Sequence, residues 1–245
     1  MSTFSILQCE TQCTGSSNCV NPSMLKNAPP YAALYDVCVP ENLQVQDNDH
    51  IYSLDTGSSL ATINHCTDKK IRMTDDTFVT SYGSAQNVVD HPISPKTSIL
   101  NHKIHAVCDE IPLRGTSDGL IGMALAVAPE TRPQYGFMSQ KTDVKRFVVD
   151  KTKTNPIACV GRECEPLSNM AHTHNIAEAN TMILPSFEHN SKLYILDTGT
   201  TITTPIEDSI CIIGNADINQ LDVNYDLMEV KFNINEDRVS KICGW

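Results

Sequence analysis

Two tripeptides, Asp55-Thr56-Gly57 and Asp197-Thr198-Gly199, each place an acid beside a hydroxyl and a glycine. Their flanks repeat as well. Tyr52-Ser53-Leu54-Asp55-Thr56-Gly57-Ser58-Ser59 recurs as Tyr194-Ile195-Leu196-Asp197-Thr198-Gly199-Thr200-Thr201. Each copy is followed by two apolar residues and a glycine, Leu120-Ile121-Gly122 in the first half and Ile212-Ile213-Gly214 in the second. An Asp-Thr-Gly alone is a weak signal. The order strand, Asp-Thr-Gly, strand, apolar-apolar-Gly occurring twice reads as two copies of one unit related by a pseudo-two-fold. Two carboxylates brought together cannot both ionise easily, so one proton is shared over an acidic range. The ionised member can take a proton from a water held between them while the protonated member stabilises a developing oxyanion. Such chemistry is hydrolysis with no metal, no cofactor and no covalent intermediate.

The surrounding residues fit that role. Gly57 and Gly199 are expected to allow the turns and to let a backbone N–H approach each carboxylate. Ser58 and Thr200 are placed to donate to the outer carboxylate oxygens, and the hydroxyls of Thr56 and Thr198 to bond across to the opposite loop.

The elements that must carry these loops read as strands. Helical periodicity is weak, and short apolar runs are broken by Gly, Pro, Asn and Asp. Examples are Ile51–Leu54, Phe78–Val79, Ile104–Val107, Phe147–Val149, Tyr194–Leu196, Ile210–Ile213 and Val230–Phe232. Runs of this length and β-branched content predict a mainly β chain. Helix is expected only in short pieces, with Thr131–Lys145 as a candidate interrupted by Pro133 and Gly136. Residues 1–30 form a Cys-rich extension ending at Pro29-Pro30. A first lobe is expected over 31–160 and a shorter second lobe over 161–245, with the polar stretch Lys151–Asn180 read as the connection between lobes.

Composition excludes several classes. A net charge of -11 with scattered acidic groups repels nucleic acid, and no basic cluster interleaved with aromatics offsets it. No stretch approaches the ~18 apolar residues of a membrane helix, so no membrane partner is expected. Met1–Cys13 does not read as a signal peptide.

The ten cysteines point to an oxidising compartment and several disulfides, whose connectivity the sequence leaves open. No Asn-x-Ser/Thr acceptor occurs to support export. Cys159 and Cys164 lie near His172 and His174, but no Cys-x-x-Cys spacing is present, and disulfides with loop histidines are the expected reading rather than a metal site.

The chain resembles the pepsin-like aspartic peptidases, and in detail their plant nepenthesin-like branch. Leu54-Asp55-Thr56-Gly57-Ser58-Ser59 and Leu196-Asp197-Thr198-Gly199-Thr200-Thr201 are similar to the two active-site motifs. Ser117-Asp118-Gly119-Leu120-Ile121-Gly122-Met123 resembles the segment that braces the first aspartate loop. Cys211-Ile212-Ile213-Gly214-Asn215, followed by Val223-Asn224-Tyr225-Asp226-Leu227, is similar to the branch's C-terminal signature. The likeness covers most of residues 31–245, with gaps.

This resemblance implies a two-lobed acid protease fold and an aspartic-type endopeptidase with Asp55 and Asp197 as the catalytic pair. It implies an extended peptide or protein substrate under a flap carrying Tyr82 and a disulfide between Cys211 and Cys243; a secreted or vacuolar protein is expected from the cysteines, although no signal peptide is visible. One chain supplies both aspartates, so a monomer is expected. Three features depart from the family pattern. Only the short stretch 198–211 separates the second motif from Ile212, so the second lobe is truncated. Tyr82 is followed by Gly83-Ser84-Ala85 rather than an acidic-Gly pair, and Trp245 at the terminus is the only tryptophan. The missing segment keeps a second reading open, that of a non-catalytic relative acting as a peptide-binding or inhibitor-like protein.

Overall fold

In the segment Glu229–Ile234, residues Val230, Phe232 and Ile234 point inward and Glu229, Lys231 and Asn233 are half-exposed, the period-two signature of a strand with one buried face. The structure, a computed structural model, describes residues 3–5, 43–47, 50–63, 77–82, 85–108, 118–141, 143–153, 156–162, 164–176, 181–201 and 203–245. For residues 3–5, 77–82, 85–92 and 130 it describes the backbone alone. The protein is mainly β, with its strands divided among several sheets.

Two of these sheets share one plan. The first has the order Gln44–Asp47, His50–Asp55, Gly119–Gly122, Ala61–Ile63, Val107–Cys108. The second has the order Ser186–His189, Lys192–Asp197, Ile210–Gly214, Thr204–Glu207. In each, the strand ending in the aspartate pairs antiparallel with the strand before it and parallel with the strand carrying the apolar-apolar-Gly run. The register sets Asp55 opposite Gly122 and Asp197 opposite Gly214. A third strand, Ala61–Ile63 or Thr204–Glu207, returns antiparallel on the far side. The repeated sequence is therefore a repeated local fold.

A third sheet has six strands, antiparallel throughout. Its order is Thr3–Ser5, Ile157–Val160, Arg146–Asp150, Ile218–Asn224, Glu229–Ile234, His172–Asn175. The stretch Lys151–Asn180 thus supplies two strands of this sheet. Leu54 and Leu196 from the aspartate strands, Ile121 and Ile213 from their parallel partners, and Phe147, Leu221, Val223 and Phe232 from the six-stranded sheet form one continuous buried cluster.

Two hairpins turn on residue pairs with positive φ, Leu100-Asn101 at 48° and 63° and Asn190-Ser191 at 50° and 59°. That is the two-residue turn whose twist suits antiparallel neighbours. The expected strand Ile104–Val107 is instead broken. Ile104 ends one strand and Val107 starts another. Between them, the amide of His105 donates to Gln140 Oε1 and that of Ala106 to Ser94 Oγ.

Among the described residues helix is confined to short pieces. Over Thr131–Lys145, a 3-10 turn at Pro133–Tyr135 and an α-helical turn at Phe137–Gln140 meet at Gly136, so Pro133 and Gly136 divide the segment. The longest helix among the described residues, Glu236–Cys243, has Glu236 and Asp237 in its first turn and Lys241 in its last, matching its dipole. Gly244 ends it in the left-handed conformation. A disulfide joins Cys243 to Cys211 with Cα atoms 6.2 Å apart, and a second joins Cys159 to Cys164 at 5.5 Å. Cys9, Cys13, Cys19, Cys38 and Cys66 lie outside the described residues. No helix among the described residues is long and apolar enough to cross a membrane.

Candidate active site

Leu54 and Leu196 are fully buried, which anchors each strand and delivers the next residue to a turn at the sheet end. The two turns meet. Thr56 Oγ1 accepts from the Thr198 amide at 3.0 Å and donates to the Leu196 carbonyl at 2.5 Å. Thr198 Oγ1 accepts from the Thr56 amide at 3.1 Å and donates to the Leu54 carbonyl at 2.9 Å. Both threonines are buried, so all four groups would be orphaned if the loops parted.

Within each turn the glycine amide donates to its own aspartate, Gly57 to Asp55 Oδ1 and Gly199 to Asp197 Oδ1, both at 2.8 Å. Neither glycine has a positive φ among the described residues. They are required for space rather than for the turn. A Cβ on Gly57 would lie 2.7 Å from Asp197 Cγ, and one on Gly199 would lie 2.5 Å from Asp55 Cγ. Each carboxyl packs on the other loop's glycine, and the charge of Asp197 acts on Asp55.

The outer partners are unequal. Thr200 Oγ1 donates to Asp197 Oδ2 at 3.0 Å. The Ser58 hydroxyl is buried and makes no well-formed hydrogen bond among the described residues, although its proximity offsets part of the shift in Asp55. Burial and then the charge of Asp197 push the Asp55 carboxyl up, to about 7. The Gly57 amide works in the opposite direction.

Both turns are braced by the strands paired beside them. Behind Asp55, the amide of Met123 donates to the Asp55 carbonyl at 2.7 Å and that of Ala124 to the Ser58 carbonyl at 2.9 Å. A Cβ on Gly122 would lie 2.5 Å from the Leu60 nitrogen, so only glycine lets this strand approach. Behind Asp197, Asn215 donates from its amide to the Thr200 carbonyl at 2.7 Å and from its side chain to the Thr198 carbonyl at 3.3 Å. The buried Tyr225 hydroxyl crosses from the six-stranded sheet to the Met123 carbonyl at 2.7 Å.

Asp55, Asp197, Gly57, Gly199, Ser58 and Thr200 therefore lie together at one place. Tyr82 ends the strand Thr77–Tyr82 at the tip of a hairpin, paired with Ala85, and its side chain lies outside the described residues. The two cysteines considered for a metal are joined to each other, and His172 stacks on Phe232. Among the described residues no group of three or more His, Cys, Asp or Glu side chains is placed to hold a metal ion.

Three residues behind the second turn, Lys151, Asp217 and Arg238, carry no signal in the sequence. They lie far apart along the chain, and only the sheet and the last helix bring them together. No family model matches the chain, and no curated protein matches it at a significant level.

Proposed function

We propose that this protein is an aspartic-type endopeptidase with a pepsin-like, two-lobed fold and a truncated second lobe, in which Asp55 and Asp197 activate water for peptide-bond hydrolysis. The single observation that carries this reading is the reciprocal bonding of Thr56 and Thr198. It holds two matching acid turns face to face, each carboxyl against the glycine of the opposite turn. A buried acid pair of this kind holds one proton between two groups. The ionised carboxylate removes a proton from water as its oxygen bonds to the scissile carbonyl carbon, and the protonated carboxyl donates to the carbonyl oxygen. The same pair, acting in reverse roles, serves the collapse that releases the amine. An extended peptide is the substrate class, since it presents successive backbone carbonyls to the pair, and the hairpin carrying Tyr82 is the candidate flap over it. The disulfides favour an oxidising compartment, secreted or vacuolar, and a monomer suffices because one chain supplies both turns.

The test is cleavage of an unfolded protein between about pH 3 and 6, with inhibition by a statine-type transition-state mimic. Hydrolysis that disappears in both Asp55→Asn and Asp197→Asn supports the reading. Equal hydrolysis in either variant overturns it.

A second reading has one observation in its favour. The return strand Thr204–Glu207 is exposed along its whole length, with Ile206 53% exposed. Such exposure fits a shortened second lobe, and a peptide-binding relative that does not turn over is the alternative. Tight binding of the mimic with no cleavage at any acidic pH selects it.

A further inference from the structure

Behind the Asp197 turn lie three charged side chains that the hydrolytic step does not use. Lys151 follows the strand Arg146–Asp150, Asp217 lies just beyond Gly214, and Arg238 sits in the C-terminal helix. The Lys151 ammonium donates to the Asn215 carbonyl. Asp217 is buried, pairs through Oδ1 with Arg238 Nε at 2.9 Å, and accepts the Thr203 hydroxyl at Oδ2. The charged groups that act on Lys151 are Asp217 and Arg238. Burial lowers its amine to about 8, Asp217 opposes this and Arg238 adds to it, so Lys151 is protonated throughout the acidic range. The three groups together carry one net positive charge in a place poorly screened by water.

This cluster reaches the second aspartate by two short routes. Asn215, held by Lys151, donates to the carbonyls of Thr198 and Thr200, and Thr200 donates to Asp197. Thr203, held by Asp217, accepts the amide of Gly214, the residue opposite Asp197 in the parallel pair. The brace of the first turn is built differently. It uses backbone groups of Leu60, Gly122, Met123 and Ala124 and the neutral hydroxyl of Thr62. The charge that acts on Asp55 is that of Asp197. The outer hydroxyls are unequal in the same sense, since Thr200 bonds to Asp197 and Ser58 makes no well-formed bond to Asp55.

We propose that Lys151, Asp217 and Arg238 are positioning residues that hold the Asp197 turn and bias the acid pair, so that Asp197 carries the negative charge and Asp55 the proton. The proposal deepens the endopeptidase reading and rests on it for its meaning in turnover. Asp197 is then the group that takes the proton from water, and Asp55 the one that protonates the carbonyl oxygen. The product of that step is a neutral tetrahedral diol.

The test is carboxyl-carbon NMR on the full chain labelled at aspartate, with Asp55→Asn and Asp197→Asn assigning the two signals. In the wild type near pH 5, the Asp197 signal is expected at the carboxylate position and the Asp55 signal at the acid position. Lys151→Met removes a positive charge and should raise the Asp197 midpoint by about one pH unit, ~10-fold in proton affinity. Asp217→Asn removes a negative charge and should move that midpoint down. Lys151→Arg should leave it within a few tenths of a unit. A loosened structure would shift both charge variants the same way, so opposite signs support the proposal. A wild type with the charge on Asp55, or Asp217→Asn moving the Asp197 midpoint up or not at all, overturns it even if Lys151→Met does not fold. Peptide hydrolysis on the same samples separates the two readings. A wild type that cleaves nothing fails the peptidase reading while the spectra still judge the bias.

Discussion

Thr56 and Thr198 each accept a hydrogen bond from the other's backbone amide, so the two acid turns are completed only by one another. Replacing either threonine with valine keeps the shape and leaves a buried amide and a buried carbonyl unpaired. Each single variant should lose about 1–3 kcal/mol of stability. Urea unfolding measures this, and the double variant should lose less than the sum because the two residues share one bonded unit.

The acid groups themselves should be dispensable for folding and required for turnover. Asp55→Asn and Asp197→Asn should each lower the rate of peptide cleavage by roughly 1,000-fold or more, by removing the shared proton chemistry. Circular dichroism and thermal melting of both proteins at pH 7 should match or exceed the wild type.

Stability should fall as pH rises. The Asp55 carboxyl titrates above its ordinary value of 3.8, near 7, because burial and Asp197 disfavour its charged form. A group whose proton affinity is raised by folding contributes stability that is complete below the unfolded value and is lost as pH climbs through the folded one. Melting temperatures between about pH 4 and 8 should therefore decline from this source. Asp55→Asn should flatten that decline, and an unchanged slope in the variant would assign the effect elsewhere.

Gly199 should not tolerate a methyl group. The added Cβ would fall 2.5 Å from Asp55 Cγ, forcing the carboxyls apart. Gly199→Ala should fold with a loss of roughly 1–3 kcal/mol and lose nearly all cleavage. Gly57→Ala, pressing on Asp197, should do the same, and kinetic assays of both proteins check it.

The bond between Cys211 and Cys243 ties the strand that braces Asp197 to the last helix, across a sequence separation of 32 residues. Its removal by Cys211→Ser with Cys243→Ser should cost about 2–4 kcal/mol. Guanidinium unfolding measures the loss. Because the helix also holds Arg238 against Asp217, the acidic pH profile of cleavage should shift as well.

The acid turns were legible because their information is local. An apolar strand, Asp-Thr-Gly and a later apolar-apolar-Gly run repeat in order, and the parallel pairing of Asp55 with Gly122 and Asp197 with Gly214 follows that repeat. The need for glycine at 57 and 199 was only half legible. The residue type is plain in the sequence, but the reason lies across the interface in the opposite carboxyl, not in the backbone of the turn. Ile104–Val107 looked like one strand because composition does not register that His105 and Ala106 bond to Gln140 and Ser94. The helix Glu236–Cys243 had its signals in the acidic first turn and Gly244, though only two of its residues, Val239 and Cys243, are buried, too few for a clear apolar stripe. Lys151, Asp217 and Arg238 had no signal, since their association depends on three elements meeting in the fold.

The order of the six-stranded sheet has a consequence for the growing chain. Arg146–Asp150 is hydrogen-bonded on one flank by Ile157–Val160 and on the other by Ile218–Asn224, and the neighbour of that strand is Glu229–Ile234. A nascent chain that has passed residue 160 can form only the first half of this platform, leaving one long row of amides and carbonyls open until residues 218–224 have been made. Closure of the sheet therefore waits for that segment, and a chain cut short near residue 217 would carry an unclosed edge prone to pairing with its neighbours.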